Sequence, residues 1–283
     1  MAQKQYEVLE WASLFLEKNN RETRVAELLL QHHLNVSRAQ YFAQMREDIP
    51  QHIIEKFRAD VVKHAETGIP IQHLMGYEMF YGRKYSVNEN VLIPRPETEE
   101  LVLHVMEHAP KDKPITIVDV GTGSGVIAIT LALELPNADV YAIDISPDAL
   151  GMAKKNAEDL AANVTFLQGD FLDPFVKQGL RADIIVSNPP YIAEEERSEL
   201  SDTVVNYDPE IALFAEDNGL FAYKKIISQL PAAILSGGSI AFEIGHLQGK
   251  AVQDLLQQTF PESSVTVRKD INGKDRIVSA KNL

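Results

Sequence analysis

Four consecutive residues, Asn188, Pro189, Pro190 and Tyr191, set a carboxamide, two stiffened backbone carbonyls and a phenol side by side. Each proline fixes its own φ, biases the preceding residue toward extended backbone and removes one backbone donor. The stretch follows Ile184-Ile185-Val186, an apolar run that reads as a buried strand ending at Ser187. A rigid loop at the carboxyl end of a strand is where open α/β sheets bind their ligands. Its acceptors suit a planar group that carries an NH2. A plain surface turn is the competing reading of a Pro-Pro pair, and the loop alone does not separate the two.

A second stretch adds a ligand. Ile117-Val118-Asp119-Val120 reads as a strand running into Gly121-Thr122-Gly123-Ser124-Gly125 and then a helix from Val126. Glycines at such a turn tolerate positive φ and let a ligand approach the backbone closely. Asp144 ends the next expected strand, where an acidic side chain accepts hydrogen bonds from both ribose hydroxyls of a nucleoside. Gly169-Asp170-Phe171 ends the one after that. Asp170 is placed to accept from an adenine amine, and Phe171 to pack on its ring. A dinucleotide would bring a pyrophosphate to the helix N-terminus, usually through G-x-G-x-x-G. Here the spacing is G-x-G-x-G and residue 126 is Val. S-adenosylmethionine has no phosphate, and Asp119 at the strand end suits its ammonium better than it would suit a pyrophosphate. A methyl donor is therefore preferred over a dinucleotide, with a ligand-free glycine turn as the alternative to both.

Positioning these residues requires a sheet. From residue 115 onward strands are expected at 115–120, 140–143, 164–167, 183–187, 240–244, 265–268 and 276–280. Helices are expected near 125–134, 147–160 and 219–235. Asn272-Gly273 reads as a hairpin turn between the last two strands. The pattern predicts an α/β fold with a doubly wound, mostly parallel seven-stranded sheet and an antiparallel strand near the end. Residues 1–73 read as a small helical domain. Val8, Ala12 and Leu16, then Val25 and Leu29, then Ile53, Phe57 and Val61 recur at helical spacing. Asn20 and Ser37 are candidate N-caps. His32 and His33 are adjacent, point to different helix faces and read as packing or surface residues. Residues 74–93 are expected to form a linking hairpin, with Gly82-Arg83-Lys84 between Met79-Phe80-Tyr81 and Tyr85-Ser86-Val87. Residues 94–283 form the catalytic domain. Glu97 or Thr98 is expected to open the helix that carries Leu101, Val102 and Val105. Arg95 and Glu97 are candidates for shaping the cleft or for forming a structural pair.

The 283-residue chain has room for both domains, and its hydrophobic content of 45% supports a packed core. A net charge of −14 argues against a general nucleic-acid surface, because phosphate contacts need clustered Lys and Arg. No stable nucleic-acid binding is expected. The absence of cysteine removes disulfides and thiolate metal sites, and no metal site is expected. The N-terminus shows no signal-peptide core and no apolar run reaches membrane-spanning length, so a cytoplasmic protein without membrane contact is expected.

With the glycine turn, Asp144 and the 188–191 loop on successive strands, the chain resembles class I S-adenosylmethionine-dependent methyltransferases that act on exocyclic or amide nitrogens. The loop by itself is shared with adenine-N6 nucleic-acid methyltransferases. Further segments narrow the resemblance: Val91-Leu92-Ile93-Pro94-Arg95-Pro96-Glu97-Thr98-Glu99, Tyr207-Asp208-Pro209-Glu210, Glu243-Ile244-Gly245 and Asp275-Arg276. Together with the helical N-terminal region they are similar to the release factor glutamine methyltransferases. This resemblance implies a Rossmann-like methyltransferase. Its substrate would be the side-chain amide of the glutamine in the Gly-Gly-Gln motif of class 1 peptide-chain release factors. It also implies that Gly121, Thr122, Gly123, Ser124, Gly125, Asp144, Asp170, Phe171 and Asn188 hold the donor, leaving S-adenosylhomocysteine as product. Asn188, Pro189, Pro190 and Tyr191 would hold the glutamine, with Asn188, Pro189 and Tyr191 as the catalytic group and Tyr191 stacked on the amide. Phe171 stands where many relatives have Trp, which keeps an aromatic face and loses the indole N–H. An adenine-N6 nucleic-acid methyltransferase, a second protein substrate with a similar glutamine such as a ribosomal protein, a catalytically silent donor-binding scaffold and a dehydrogenase are the alternatives, and the intact 188–191 loop argues against the scaffold.

Overall fold

A computed structural model describes residues 3–283. They form two compact units, one of the described residues up to 76 with 201–207 and one of 77–200 with 208–283.

In the first unit, Val8, Ala12 and Leu16 lie one helical turn apart on the buried face of the helix Gln5–Lys18. They pack with Val25, Leu29, Ile54, Phe57 and Val61 from the helices Arg24–Leu34 and Gln51–Thr67. Ser37 caps the helix Arg38–Ala43 as expected. Its Oγ accepts from the Gln40 amide at 3.3 Å, and Gln40 Oε1 accepts the Ser37 amide at 2.9 Å. Asn20 is not an N-cap. It lies just past the end of the first helix at φ 55°, a left-handed position that Asn tolerates, and Thr23 precedes the next helix instead. His33 Nε2 meets Asp60 at 2.8 Å and its ring stands edge-on to Phe57, a packing role. The short strands β1 (Gln3–Lys4) and β2 (Asp48–Ile49) pair antiparallel beside the helices.

The second unit opens with the hairpin β3 (Tyr77–Phe80) and β4 (Arg83–Ser86), turning at Tyr81-Gly82. The next helix runs Pro96–His108 with Arg95 as its N-cap, so it begins ahead of the expected Glu97 or Thr98. A proline suits the first helical position because its φ is already helical and that N–H has no partner to lose. Thr98 therefore falls within the first turn, where its side chain is buried.

Seven strands follow: β5 (Ile115–Val120), β6 (Ala138–Asp144), β7 (Val164–Gln168), β8 (Ala182–Ser187), β9 (Ile234–Glu243), β10 (Ser264–Lys269) and β11 (Asp275–Lys281). Their order is β10-β11-β9-β8-β5-β6-β7, parallel from β9 to β7, with β11 antiparallel to both neighbours. The doubly wound, mostly parallel seven-stranded sheet is thus present. Period-2 alternation divides the core: Ile117 and Ile184 join the apolar layer on one face, Val118 and Ile185 the layer on the other. β9 starts at Ile234, earlier than expected. Gly237 and Gly238 lie within it, where a shift in register separates the pair Ala182–Ile234 from Ile184–Ser239.

The chain runs outward from β5 through β6 to β7 and then crosses back to β8 on the other side of β5. The order reverses between β5 and β8, and a crevice opens at the carboxyl ends of such a pair. The glycine turn leaves β5 and the 188–191 loop leaves β8. Ser187 Oγ donates to the Val120 carbonyl at 2.6 Å and ties the two strand ends together.

Candidate active site

Gly121, Gly123 and Gly125 all have positive φ, at 73°, 55° and 84°. A Cβ on Gly121 or Gly123 would meet no atom within 4 Å, so these two glycines border open space. Gly125 differs: its Cβ would come within 2.7 Å of Ile129 and 3.1 Å of Ala153, so it serves close packing of the helices Val126–Glu134 and Pro147–Asp159. Below the turn, Asp119 Oδ2 accepts from Thr122 Oγ1 at 2.6 Å and from the Ala128 amide at 3.3 Å. Asp119 Oδ1 is buried without a protein partner among the described residues. Burial pushes this carboxyl up to about 7.

Asp144 sits at the end of β6 with each oxygen held by backbone. Oδ2 accepts the Gly123 amide at 2.8 Å and Oδ1 the Ser146 amide at 2.9 Å. These bonds fix the carboxylate and leave further lone pairs for a ligand. Burial still raises its pKa. Phe171 takes a left-handed φ of 46°, which turns its ring toward Phe221 at 6.4 Å between centroids. Asn156 is a structural anchor that motif reading missed. Its Nδ2 donates to the Ser124 carbonyl at 2.9 Å and its Oδ1 accepts the Ser86 amide at 2.7 Å, pinning the glycine turn to β4. No pattern marks it in a helix whose other buried residues are apolar.

The loop after β8 is held from afar. Asn188 Nδ2 donates to Thr98 Oγ1 at 3.3 Å, and Thr98 Oγ1 donates to Glu243 Oε2 at 2.8 Å. Glu243 is 2% exposed, and burial pushes its carboxyl up to about 7. The Tyr191 carbonyl accepts from Gln248 Nε2 at 2.8 Å, while Gln248 Oε1 accepts the Gly245 amide. The Tyr191 ring packs beside Gly245, and burial raises its phenol above the usual value. Arg276 Nη1 donates to the Ile244 carbonyl at 3.2 Å, and its Nε and Nη2 each donate to Asp270 Oδ2 at 3.3 Å. Arg95 pairs with Asp208 at 2.7 Å, rather than with Glu97. Segments scattered along the sequence therefore converge on one loop cluster.

A cavity of about 430 Å³ occupies the crevice. Gly121, Thr122, Gly123, Ser124, Asp144, Asp170, Phe171, Asn188 and Pro190 line it, joined by Arg95, Thr98, Ile211, Phe214 and Phe221. Gly125, Pro189 and Tyr191 do not line it. The size suits a nucleoside-scale ligand. Acidic groups at the ends of β6 and β7, an aromatic pair, an open glycine backbone and Asn188 all line this one cavity. Among the described residues no His, Lys, Cys or Tyr lines the cavity. Its titratable lining consists of Arg95, Asp144, Asp170 and Glu216.

The sheet order and the crevice at its reversal define a Rossmann-like methyltransferase. A family model described as a methyltransferase domain matches residues 111–260, and one described as the PrmC N-terminal domain matches residues 7–76. A crystal structure of a methyltransferase from Pyrococcus furiosus shares the fold, with a TM-score of 0.52 at 16% identity over 71% of this chain and 89% of that one. Proteins named release factor glutamine methyltransferase are far more similar in sequence. That of Bacillus cereus is 48% identical over 97% of this chain and 98% of its own length, and that of Enterococcus faecalis 41% over 99% and 100%. The chain belongs to the release factor glutamine methyltransferase family. Among the described residues no helix is long and apolar enough to cross a membrane.

Proposed function

We propose that this enzyme transfers a methyl group from S-adenosylmethionine to the side-chain amide nitrogen of the glutamine in the Gly-Gly-Gln motif of class 1 release factors. The observation that carries the reading is the single cavity joining the glycine turn and Asp144 to the Asn188 carboxamide. The residues fit such a donor: open backbone at Gly121 and Gly123, a fixed carboxylate at the ribose position and an aromatic wall at Phe171.

When bound, the donor supplies an electrophilic methyl on its sulfonium. The rest of the task falls to the chain. An amide nitrogen is a poor nucleophile because its lone pair is delocalised into the carbonyl. Asn188 Oδ1 and the Pro189 carbonyl accept the two N–H bonds of the glutamine, which orients the nitrogen toward the methyl and favours a pyramidal geometry; as the N–CH3 bond forms and the S–CH3 bond breaks, one of these N–H protons is released to solvent. Pro190 walls the site, and Tyr191 contributes to the substrate face while its carbonyl is held by Gln248. Asp144 accepts from the ribose hydroxyls, and Asp170 with Phe171 holds the base. Alignment of this kind supplies several of the roughly 7–11 kcal/mol available from positioning.

The test is incubation of the enzyme with labelled donor and either a class 1 release factor or duplex DNA, followed by peptide mass spectrometry. One added methyl on the Gly-Gly-Gln glutamine is expected. Label in DNA with an unmodified release factor would reverse the assignment.

A further inference from the structure

Thr98 has one hydroxyl proton and two neighbours that compete for it, Asn188 and Glu243. An ionised Glu243 only accepts, so Thr98 donates to it and must itself accept from Asn188. That choice leaves Nδ2 of Asn188 against Thr98 and turns Oδ1 away, on a residue that lines the cavity. We propose that Glu243, acting through the Thr98 hydroxyl, is the positioning residue that decides which end of the Asn188 carboxamide meets the substrate amide. This rests on the reading of Asn188 as the acceptor for the glutamine N–H.

The logic reverses when Glu243 takes a proton. Protonated on Oε2, the acid donates to Thr98, which frees the Thr98 proton for Asn188 and lets the carboxamide turn its Oδ1 to Thr98. Its NH2 then faces the NH2 of the substrate, and two donors meet. Charged and titratable groups surround Glu243 on several sides. Arg276 of β11 and Arg95 favour its ionised form, and Glu97 of the helix Pro96–His108 opposes it. The Tyr191 phenol lies near, and the Tyr223 hydroxyl donates to the Glu243 backbone carbonyl at 2.9 Å. Against these, burial is the largest influence, and it brings the protonation change to about 7. Asp144, Asp170 and Phe171, and neither Thr98 nor Glu243, are the residues assigned to the ribose and base, so donor binding should change less than turnover.

The experiment is steady-state methylation of a class 1 release factor by the full-length enzyme between pH 5.5 and 8.5, with donor affinity measured by calorimetry. Thr98→Val keeps the shape and deletes the hydroxyl. It should lower kcat about 10- to 50-fold, the scale of a buried polar group left unpaired, with KM and donor affinity within threefold of wild type. Thr98→Ser restores the hydroxyl and should recover most of kcat, which separates the relay from simple packing. The double variant Asn188→Ala/Thr98→Val should be no worse than Asn188→Ala alone, because both remove one coupled element. Wild-type kcat should fall as pH drops through about 7, and Glu243→Gln should lack that limb. A normal kcat in Thr98→Val beside a crippled Asn188→Ala, or a multiplicative loss in the double variant, overturns the relay alone. A normal kcat in Asn188→Ala overturns the underlying reading and the relay with it.

Discussion

The two loops that face each other across the crevice are built by opposite means. The turn after β5 is mostly backbone, and most of its supports are local or next door: Asp119, Thr122, Ala128 and the carbonyl of Ile143 on the adjoining strand, with Asn156 reaching in from the helix Pro147–Asp159. The loop after β8 is mostly side chain, and its supports come from far along the sequence: Thr98 from the helix Pro96–His108, Glu243 from the end of β9 and Gln248 beyond it. Both hide a carboxyl that burial pushes up to about 7. The difference suggests a division of labour. A backbone cradle suits a ligand that needs close approach and few distinctions, whereas a carboxamide that must present one end and not the other needs neighbours that fix its orientation.

The comparison breaks first at Asn188. Asn188→Ala should lower kcat by about 10²–10³, as loss of one aimed polar contact does, while donor affinity by calorimetry should fall less than it does in Asp144→Ala. Weakened donor binding with unchanged kcat would exchange the roles of the two loops.

Next in size is a stability effect. Glu243 has a folded pKa raised above its ordinary value of 4.5 to about 7. Between those values the folded state holds more protons than the unfolded one, so stability falls as pH rises through this window, and the full penalty is present above about 7. Glu243→Gln removes it. Its melting temperature should exceed that of wild type at pH 8 by several degrees, from a penalty on the order of 3 kcal/mol. The gap should close toward pH 5. Equal gaps at both pH values would show that the carboxyl is not strained by burial.

On the other side, Asp144→Ala should weaken donor binding about 10- to 100-fold, the value of charge-assisted bonds near 1.5–3 kcal/mol, and leave kcat at saturating donor nearly intact. Smallest is Gln248→Ala, which frees the Tyr191 carbonyl. A loss of a few-fold in kcat is expected, the scale of one neutral hydrogen bond at about 1 kcal/mol. A loss as large as that of Asn188→Ala would mean the loop depends on Gln248 more than on Thr98.

Legibility followed the same division. The glycine turn, Asp144 and the strand-helix alternation were readable because local spacing alone specifies them. Ser37 and its box with Gln40 were readable for the same reason, whereas Asn20 was misplaced because an asparagine suits both a cap and a left-handed position. The start of the helix at Pro96 was missed by weighting capping side chains above proline at the first position. Asn188 was legible as chemistry, yet its orientation was not, since nothing in its own stretch names Thr98 or Glu243. Arg95 was read beside Glu97, its neighbour in sequence, and found Asp208 instead.

By itself the sequence determined the strand count, the two-sided winding and the residues at each strand end, because apolar period, glycine tolerance and proline stiffness act over a few residues. Only the tertiary structure decided which way the Asn188 amide faces, what pins the glycine turn through Asn156, and that Asn188 and Pro190 line the cavity while Pro189 and Tyr191 do not. Those outcomes depend on hydrogen-bond partners brought together by sheet order. A buried donor or acceptor takes whatever partner the fold delivers, however distant in the chain.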